Sequence, residues 1–179
     1  WIELFVIGNR FWLIVPINVL VNCAGVAHGG LFQMTGMAKI REVFEINFFA
    51  HLELTQALFR YMVRNKPGSI VNVSSLMAYD LPAGECAYGV SKAALAAFTK
   101  TLAAEAGSLG VRVNAVAPGL IDTAMAGQMT QAAGARMIAD SAMKRLGRPE
   151  EVADLVAYLA SDEATFVNGQ VIKINGGRS

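Results

Sequence analysis

The chain has 179 residues, of which 54% are hydrophobic and 16% are charged. This length and composition predict one globular domain with a sizeable core, and they exclude a disordered chain. The formal net charge is only +1 and no basic block is interleaved with aromatic residues, so nucleic-acid binding is not expected.

Cysteine and histidine usage limits the chemistry further. Cys23 and Cys86 provide no disulfide framework, which fits a reducing compartment, and we therefore expect a cytoplasmic protein. His28 and His51 have no Cys, His or carboxylate cluster at ligand spacing. We accordingly expect no metal site.

The first 16 residues form an unusual segment. Two apolar runs flank Gly8 and Asn9, a pattern that is compatible with a β-hairpin. The run from Phe11 to Val15 is far too short to cross a bilayer, so we expect no membrane association. We treat residues 1–16 as a separate segment and residues 17–179 as the folded domain.

Four runs along the chain predict strands. They are Ile17–Val21, Ser69–Ser75, Val111–Ala117 and Gly169–Ile174. The first is followed by the turn Asn22-Cys-Ala-Gly25, the second ends in Ser75, and the third leads into Pro118. In an open α/β sheet, ligands bind at the carboxyl ends of such strands. The sequence therefore predicts a ligand-binding crevice that these three segments border.

Helical patterns alternate with these strands. They cover Thr35–Arg64, an Ala-rich stretch from Tyr88 to Gly107, and a stretch beginning at Pro149 with two acidic residues. Residues 125–143 are rich in Met and Ala, which suits either a segment that repacks around an apolar substrate or a helix on the core. The predicted fold class is α/β, with a Rossmann-like parallel sheet between two helical layers.

The sequence Tyr88-Gly-Val-Ser-Lys92 carries the clearest chemistry. Tyr88 and Lys92 lie four residues apart at a helix start, so both side chains project from one face. A nearby ammonium favours the phenolate, and we expect Lys92 to lower the pKa of Tyr88 into a range useful for proton transfer. Ser75 could donate a hydrogen bond to a substrate oxygen. A Tyr and a Lys at this spacing are, however, often mere surface neighbours.

Further motifs place this triad in a family context. In chain order they are Asn22-Cys-Ala-Gly25, Asn47, Asn72-Val-Ser-Ser75 with Tyr88-Gly-Val-Ser-Lys92, Pro118-Gly-Leu-Ile-Asp-Thr123, Gly147-Arg-Pro-Glu-Glu151, and Asn168-Gly-Gln170 followed by Asn175-Gly-Gly177. From about Asn18 to Gly177 the chain resembles the short-chain dehydrogenase/reductase family, and within it the 3-oxoacyl-carrier-protein reductases. Several ordered motifs at family spacing are hard to obtain by accident.

The resemblance implies a role for each matching residue. Tyr88 would be the acid/base, Lys92 would assist it and bind the nicotinamide ribose, Ser75 would position the carbonyl oxygen, and Asn47 would support a water relay to Lys92. The residues bordering the nicotinamide half of an NAD or NADP cofactor would be Asn22, Ala24, Gly25, Tyr88, Lys92, Pro118, Gly119, Ile121 and Thr123.

The resemblance also implies a substrate and partners. We expect a 3-oxoacyl thioester or another apolar ketone, with small alcohols or sugars as less favoured substrates. The basic residues Arg60, Arg64 and Lys66 could dock an acidic acyl carrier protein, although Leu109 stands where related reductases often carry a basic residue. The helices Thr35–Arg64 and Tyr88–Gly107 resemble a family dimer interface, so we expect a homo-oligomer.

One part of the family pattern has no counterpart in this sequence. Family members begin with a strand, a glycine-rich loop and a helix that hold the pyrophosphate, and nothing before Ile17 resembles them. We therefore expect an N-terminally truncated Rossmann-fold domain at residues 17–179. Two hypotheses remain open: a piece of an alcohol–ketone oxidoreductase, or a non-catalytic interaction module that binds full-length subunits.

Overall fold

A computed structural model describes residues 4–7, 10–13, 17–128 and 131–178. The strands are β1 (Leu4–Ile7), β2 (Arg10–Leu13), β3 (Val19–Asn22), β4 (Gly68–Val73), β5 (Val111–Pro118) and β6 (Val171–Ile174). The helices are α1 (Met37–Phe44), α2 (Ala50–Arg64), α3 (Met77–Asp80), α4 (Tyr88–Ala106), α5 (Gln131–Asp140) and α6 (Pro149–Ala160). A π-helical turn, Glu45–Phe49, joins α1 to α2.

The central sheet has four parallel strands in the order β3-β4-β5-β6. Its register places Asn22 beside Asn72 and Asn72 beside Ala115. Within the described part of the chain, β3 pairs on one side only, and Val19 and Val21 at this edge are exposed. β1 and β2 pair antiparallel in a separate two-stranded sheet. The placement of a domain boundary at residue 16 stays a prediction.

Alternation along the strands separates two apolar layers. Ile70 packs with Leu20, Val113 and residues of α2 and α4, whereas its neighbour Val71 packs with Val116 and residues of α6. Successive strand residues point to opposite faces, so a run of apolar residues can fill two cores at once. The sheet is thus covered on both faces, which confirms the predicted three-layer α/β fold.

The helix predicted over Thr35–Arg64 is interrupted. The π-helical turn places Asn47 in the interior, where it is fully buried. Such turns insert one extra residue into a helix and occur often at functional sites. Among the described residues, no helix is both long enough and apolar enough to span a membrane.

Candidate active site

The carboxyl ends of the strands are tied together by backbone hydrogen bonds. The Ser74 amide donates to Val116 (2.8 Å), the Leu76 amide donates to Pro118 (2.8 Å), and the Gly119 amide donates to Ile174 (2.9 Å). Each bond joins the segment after one strand to the neighbouring strand, so the loops after β4 and β5 are fixed against the edge of the sheet. The predicted crevice is therefore a defined edge of the sheet.

Tyr88 and Lys92 are held against the end of β4. Tyr88 is the first residue of α4, and Lys92 lies one turn further along and is buried. The Lys92 ammonium donates to the Val73 carbonyl at 2.8 Å, and the Ser74 hydroxyl donates to the Lys92 carbonyl at 2.9 Å. These bonds fix the start of α4 beside Ser75, the residue that follows Ser74.

The expected lowering of the Tyr88 pKa by Lys92 is wrong, because the pKa of Tyr88 is raised. Burial raises the pKa of Tyr88, a hydrogen bond with Ser75 opposes that rise, and the Glu85 carboxylate adds to it. Burial disfavours a phenolate because its charge loses solvation. Tyr88 is therefore a neutral phenol in contact with Ser75, ready to donate its proton.

The pKa of Lys92 shifts in the opposite direction to that of Tyr88. Burial lowers its pKa to about 8, and the nearby Cys23 acts in the opposite direction. An ammonium that leaves water loses solvation, which favours the neutral amine. Lys92 is thus still charged at neutral pH, close to the point where it loses its proton.

Asn47 holds the turn after β3. Its Oδ1 accepts from the Val26 amide (2.8 Å), and its Nδ2 donates to the Val26 carbonyl (2.9 Å) and to the Ser91 hydroxyl (3.0 Å). The side chain therefore connects the turn to α4. Both Nδ2 hydrogens and one of the two Oδ1 lone pairs are used in this way, and the contribution of Asn47 to a water relay stays a prediction.

The predicted cofactor residues Asn22, Ala24 and Gly25 differ in their surroundings. The Asn22 Nδ2 donates to Thr55 (3.0 Å) and Asn72 (2.8 Å), so this side chain points into the sheet layer and not into the crevice. Ala24 is exposed and Gly25 is half-buried. A Cβ on Gly25 would lie 3.1 Å from Lys92 Nζ, so glycine leaves room for the ammonium.

The second predicted cofactor segment lies after β5. Pro118 and Gly119 are half-buried, and a Cβ on Gly119 would lie 3.0 Å from Asn175, so close backbone approach requires glycine there. Ile121 forms a bridge with Gly147. Thr123 is exposed and donates to the Ile121 carbonyl at 3.4 Å. The Pro-Gly segment is thus anchored at both ends, with Thr123 open to ligand.

Sequence reasoning missed Glu85, three residues before Tyr88. Its carboxylate accepts from the Gly89 amide and is close enough to raise the pKa of Tyr88, while burial raises its own pKa. One carboxylate oxygen, Oε2, is buried without a partner among the described residues. An acidic residue just ahead of a helix start was the available indication, since helix N-termini favour carboxylates.

The Met-rich stretch lines a cavity that the predicted cofactor residue Ile121 also borders. Met137 and Ile138 of α5, together with Met143 and the segment Asn175–Arg178, border about 370 Å³ of space. Neither Ser75 nor Tyr88 lines it. The described part of α5 thus packs near the C-terminal segment, and the predicted repacking of this stretch around an apolar substrate stays a prediction.

Known proteins share this sequence and fold. The family model described as enoyl-(acyl carrier protein) reductase matches residues 13–179. The chain is 40% identical over 161 residues to a 3-oxoacyl-[acyl-carrier-protein] reductase of Thermotoga maritima, covering 90% of this chain and 65% of that protein. It is 38% identical over 165 residues to an uncharacterized oxidoreductase of Bacillus subtilis, covering 92% of this chain and 68% of that protein.

Solved structures agree with these matches. The crystal structure of a 3-oxoacyl-[acyl-carrier protein] reductase from Brucella melitensis superposes with a TM-score of 0.86 at 34% identity, covering 91% of this chain and 63% of that one. The chain thus spans about two thirds of the length of the relatives that it matches. The shared parallel sheet, the ordered motifs and these matches show that the chain belongs to the short-chain dehydrogenase/reductase family.

Proposed function

We propose that the chain carries the catalytic site of an NAD(P)-dependent oxidoreductase that interconverts a secondary alcohol and a ketone. The observation that supports this most directly is the grouping of the Tyr88 phenol, the Ser75 hydroxyl and the Lys92 ammonium at the end of β4. A hydrogen-bond donor, a proton donor and a fixed positive charge are the groups that carbonyl reduction needs.

Each side chain has a distinct task in the proposed reaction. Ser75 orients the carbonyl oxygen of the substrate by donating a hydrogen bond to it. Tyr88, held neutral by burial, donates its proton to that oxygen as negative charge develops there. The Lys92 ammonium binds the ribose hydroxyls of the nicotinamide and so positions the cofactor beside Tyr88. In the oxidation direction the same residues accept the proton from the alcohol.

The residues around Lys92 fit a nicotinamide cofactor. The ammonium has three N–H donors, and the Val73 carbonyl accepts from one of them, which leaves donors for ribose hydroxyls. Gly25 and Gly119 keep the walls of the crevice free of side chains, and Thr123 offers an exposed hydroxyl. When bound, the nicotinamide supplies or accepts the hydride. Both NAD and NADP are compatible with these residues.

The proposed substrate is a 3-oxoacyl thioester or a similar apolar ketone. Several relatives at 35–40% identity are named 3-oxoacyl-[acyl-carrier-protein] reductases, which supports this class over small alcohols or sugars. Arg60, Arg64 and Lys66 are exposed together around the end of α2, where they could bind an acidic carrier protein. We propose a cytoplasmic enzyme on the same family grounds.

Exposed apolar side chains support an oligomer. Phe49 and Leu54 lie at and near the start of α2, Val90 lies on α4, and each is more than 40% exposed. Exposed apolar residues on neighbouring helices are typical of subunit interfaces. The same surface is compatible with the alternative function, a non-catalytic module that binds full-length subunits.

Turnover by the purified chain distinguishes the two functions. Oxidation of NADPH or NADH in the presence of an acetoacetyl thioester would be followed by nicotinamide absorbance. Reduction that is lost in Tyr88→Phe supports the enzyme. Absence of turnover, combined with co-purification of a longer family member through α2 and α4, would support the interaction module.

A further inference from the structure

A stripe of buried polar residues lies behind Lys92. Asn47, His51 and Thr55 follow one another at intervals of four residues, and they are 0%, 4% and 2% exposed. Asn47 bonds to Val26, and Thr55 accepts from Asn22. His51 lies between these contacts, beside the Ala24 carbonyl. The stripe therefore runs along the whole turn that follows β3.

The middle of this stripe is short of hydrogen-bond partners. The Ala24 carbonyl is close enough to His51 to raise the pKa of the ring, but neither His51 Nδ1 nor His51 Nε2 makes a hydrogen bond of good geometry with any described residue. Asn22 Oδ1, close to the same stripe, also lacks a partner among the described residues. A buried polar group without a partner costs about 1–3 kcal/mol. Proteins usually meet such needs with ordered water, which requires several polar partners at one place. His51 and Asn22 offer such partners.

The Lys92 ammonium faces this region from α4. Burial lowers the pKa of His51 most, and the positive charge of Lys92 lowers it further. The Ala24 carbonyl opposes this shift. Lys92 Nζ and Asn47 Oδ1 both lie within 3.4 Å of the position that a Gly25 Cβ would take. Among the described ionisable groups, Lys92 acts on the pKa of His51, and the exposed Cys23 thiol acts on the pKa of Lys92.

We propose that His51 is a positioning residue for Lys92: its neutral ring and Asn22 Oδ1 hold ordered water that accepts a hydrogen bond from the ammonium and keeps the lysine charged. The neutral imidazole has one nitrogen that donates and one that accepts, so it can hold a water molecule that itself accepts from Lys92. Replacing the ring with an apolar group removes this support. The ammonium then becomes easier to deprotonate.

The coupling works in both directions. Protonation of His51 places a second cation near Lys92 in a region of low dielectric, so each proton disfavours the other. Removing the lysine charge must therefore raise the pH at which His51 titrates. The two titrations therefore report on the interaction between His51 and Lys92.

The test uses NMR titration of the 179-residue chain with labelled lysine and histidine. In His51→Val the midpoint of Lys92 should fall by about one pH unit from its value near 8. His51→Gln keeps a hydrogen-bonding group and should restore most of that change. His28→Gln, which alters the other histidine, should leave Lys92 unchanged and identifies the His51 ring signal.

Lys92→Met provides the reciprocal measurement, in case His51→Val does not fold. The His51 midpoint should rise in Lys92→Met. An unchanged His51 midpoint there, or an unchanged Lys92 midpoint in His51→Val, would overturn the proposal. So would equal changes of Lys92 in His51→Val and His51→Gln, since that pattern indicates a purely structural effect.

The catalytic meaning of this coupling rests on the proposed function, whereas the titrations need neither cofactor nor substrate. A chain without reductase activity that still shows the coupling would contradict only the proposed function. In an active enzyme without the coupling, only the role of His51 would be wrong. With both present, His51→Val should move the alkaline limit of cofactor binding to lower pH.

Discussion

At the residue scale, the pKa values of Tyr88 and Lys92 depend more on the burial of the two side chains than on their spacing in the sequence. Their four-residue spacing correctly predicts that both lie at the start of one helix, but it predicts the wrong direction for the pKa of Tyr88. Burial is the largest effect on each group, and it depends on the packing of β4 and the following loop. A single sequence gives no measure of that packing.

Replacement of Tyr88 tests the proposed proton donor. Tyr88→Phe keeps the ring and removes the hydroxyl, so we expect reduction of the thioester to fall by about 10²–10⁴-fold. Cofactor binding should remain, because Lys92 and the strand ends are untouched. Tyr79→Phe is a matched control, since Tyr79 is an exposed tyrosine of α3 outside the proposed site. Equal loss of turnover in both variants would contradict the assignment.

Lys92→Met tests the cost of the buried charge. The fall in the pKa of Lys92 from 10.5 to about 8 corresponds to a penalty of about 3 kcal/mol at neutral pH. Loss of the bond to Val73 offsets about 1 kcal/mol, so we expect the free energy of unfolding to rise by about 2 kcal/mol in Lys92→Met. The measurement is urea denaturation at pH 7.

The pH dependence of that difference has a definite sign. Between pH 8 and 10.5 the unfolded lysine is protonated and the folded one is not, so the unfolded state binds more protons. The free energy of unfolding of the wild type therefore rises with pH over this range. The advantage of Lys92→Met should shrink from pH 8 to pH 10.5, and an advantage that grows would contradict the shift.

At the element scale, β-branched runs made the strands predictable. β4 and β5 agree with their predicted ranges within two residues at each end, and the predicted helix from Tyr88 is α4. The π-helical turn was not predictable, because it accompanies tertiary hydrogen bonds from Asn47 to Val26 and Ser91. The position of Asn22 inside the sheet layer likewise depends on a partner fifty residues away.

A chain of buried polar side chains fastens α4 to the sheet. Asn22 donates to Asn72 (2.8 Å), Asn72 donates to Thr99 (2.9 Å), and all three residues are buried. Thr99→Val keeps the shape of the side chain but leaves Asn72 Nδ2 without its acceptor. We expect a loss of about 1–3 kcal/mol in the free energy of unfolding, measured in urea.

Thr101→Val is the matched control on the same helix. Thr101 is exposed, so this change should stay within about 0.5 kcal/mol of the wild type. If Thr99→Val and Thr101→Val destabilise the protein equally, the buried chain does not carry the stability assigned to it.

Glu151 anchors the start of α6. Its carboxylate accepts from both Arg145 terminal nitrogens (2.8 and 2.7 Å) and from the Arg148 amide (2.7 Å), which lowers its pKa to about 2. A depressed carboxyl pKa contributes stability above pH 4.5 that is lost as the pH falls toward 2.

Glu151→Gln should therefore lower Tm at pH 7, and the difference from the wild type should shrink as the pH falls from about 4.5 to 2. Thermal melts across that range check this expectation. Glu150→Gln, at the neighbouring exposed position, should show a smaller difference at pH 7. A Tm difference for Glu151→Gln that is constant from pH 7 to pH 2 would contradict the role of the carboxylate.

At the scale of the whole molecule, the strand ends gather residues that are far apart in the sequence. Gly25, Ser75, Lys92 and Pro118 come from four segments, and the motifs around them are sufficient to predict the family from the sequence. The roles of Glu85 and His51 were not predictable in the same way. They rest on buried atoms that have no partner among the residues that the structure describes, and a sequence does not reveal such atoms.

The central claim is that these strand ends form the nicotinamide side of a cofactor site around Lys92. The most direct test is a fluorescence titration of the 179-residue chain with NADH and with NADPH. We expect saturable binding at pH 7, about tenfold weaker binding in Lys92→Met, and weakening of the wild type above about pH 8. No saturable binding at millimolar cofactor, or equal binding by wild type and Lys92→Met, would contradict the claim.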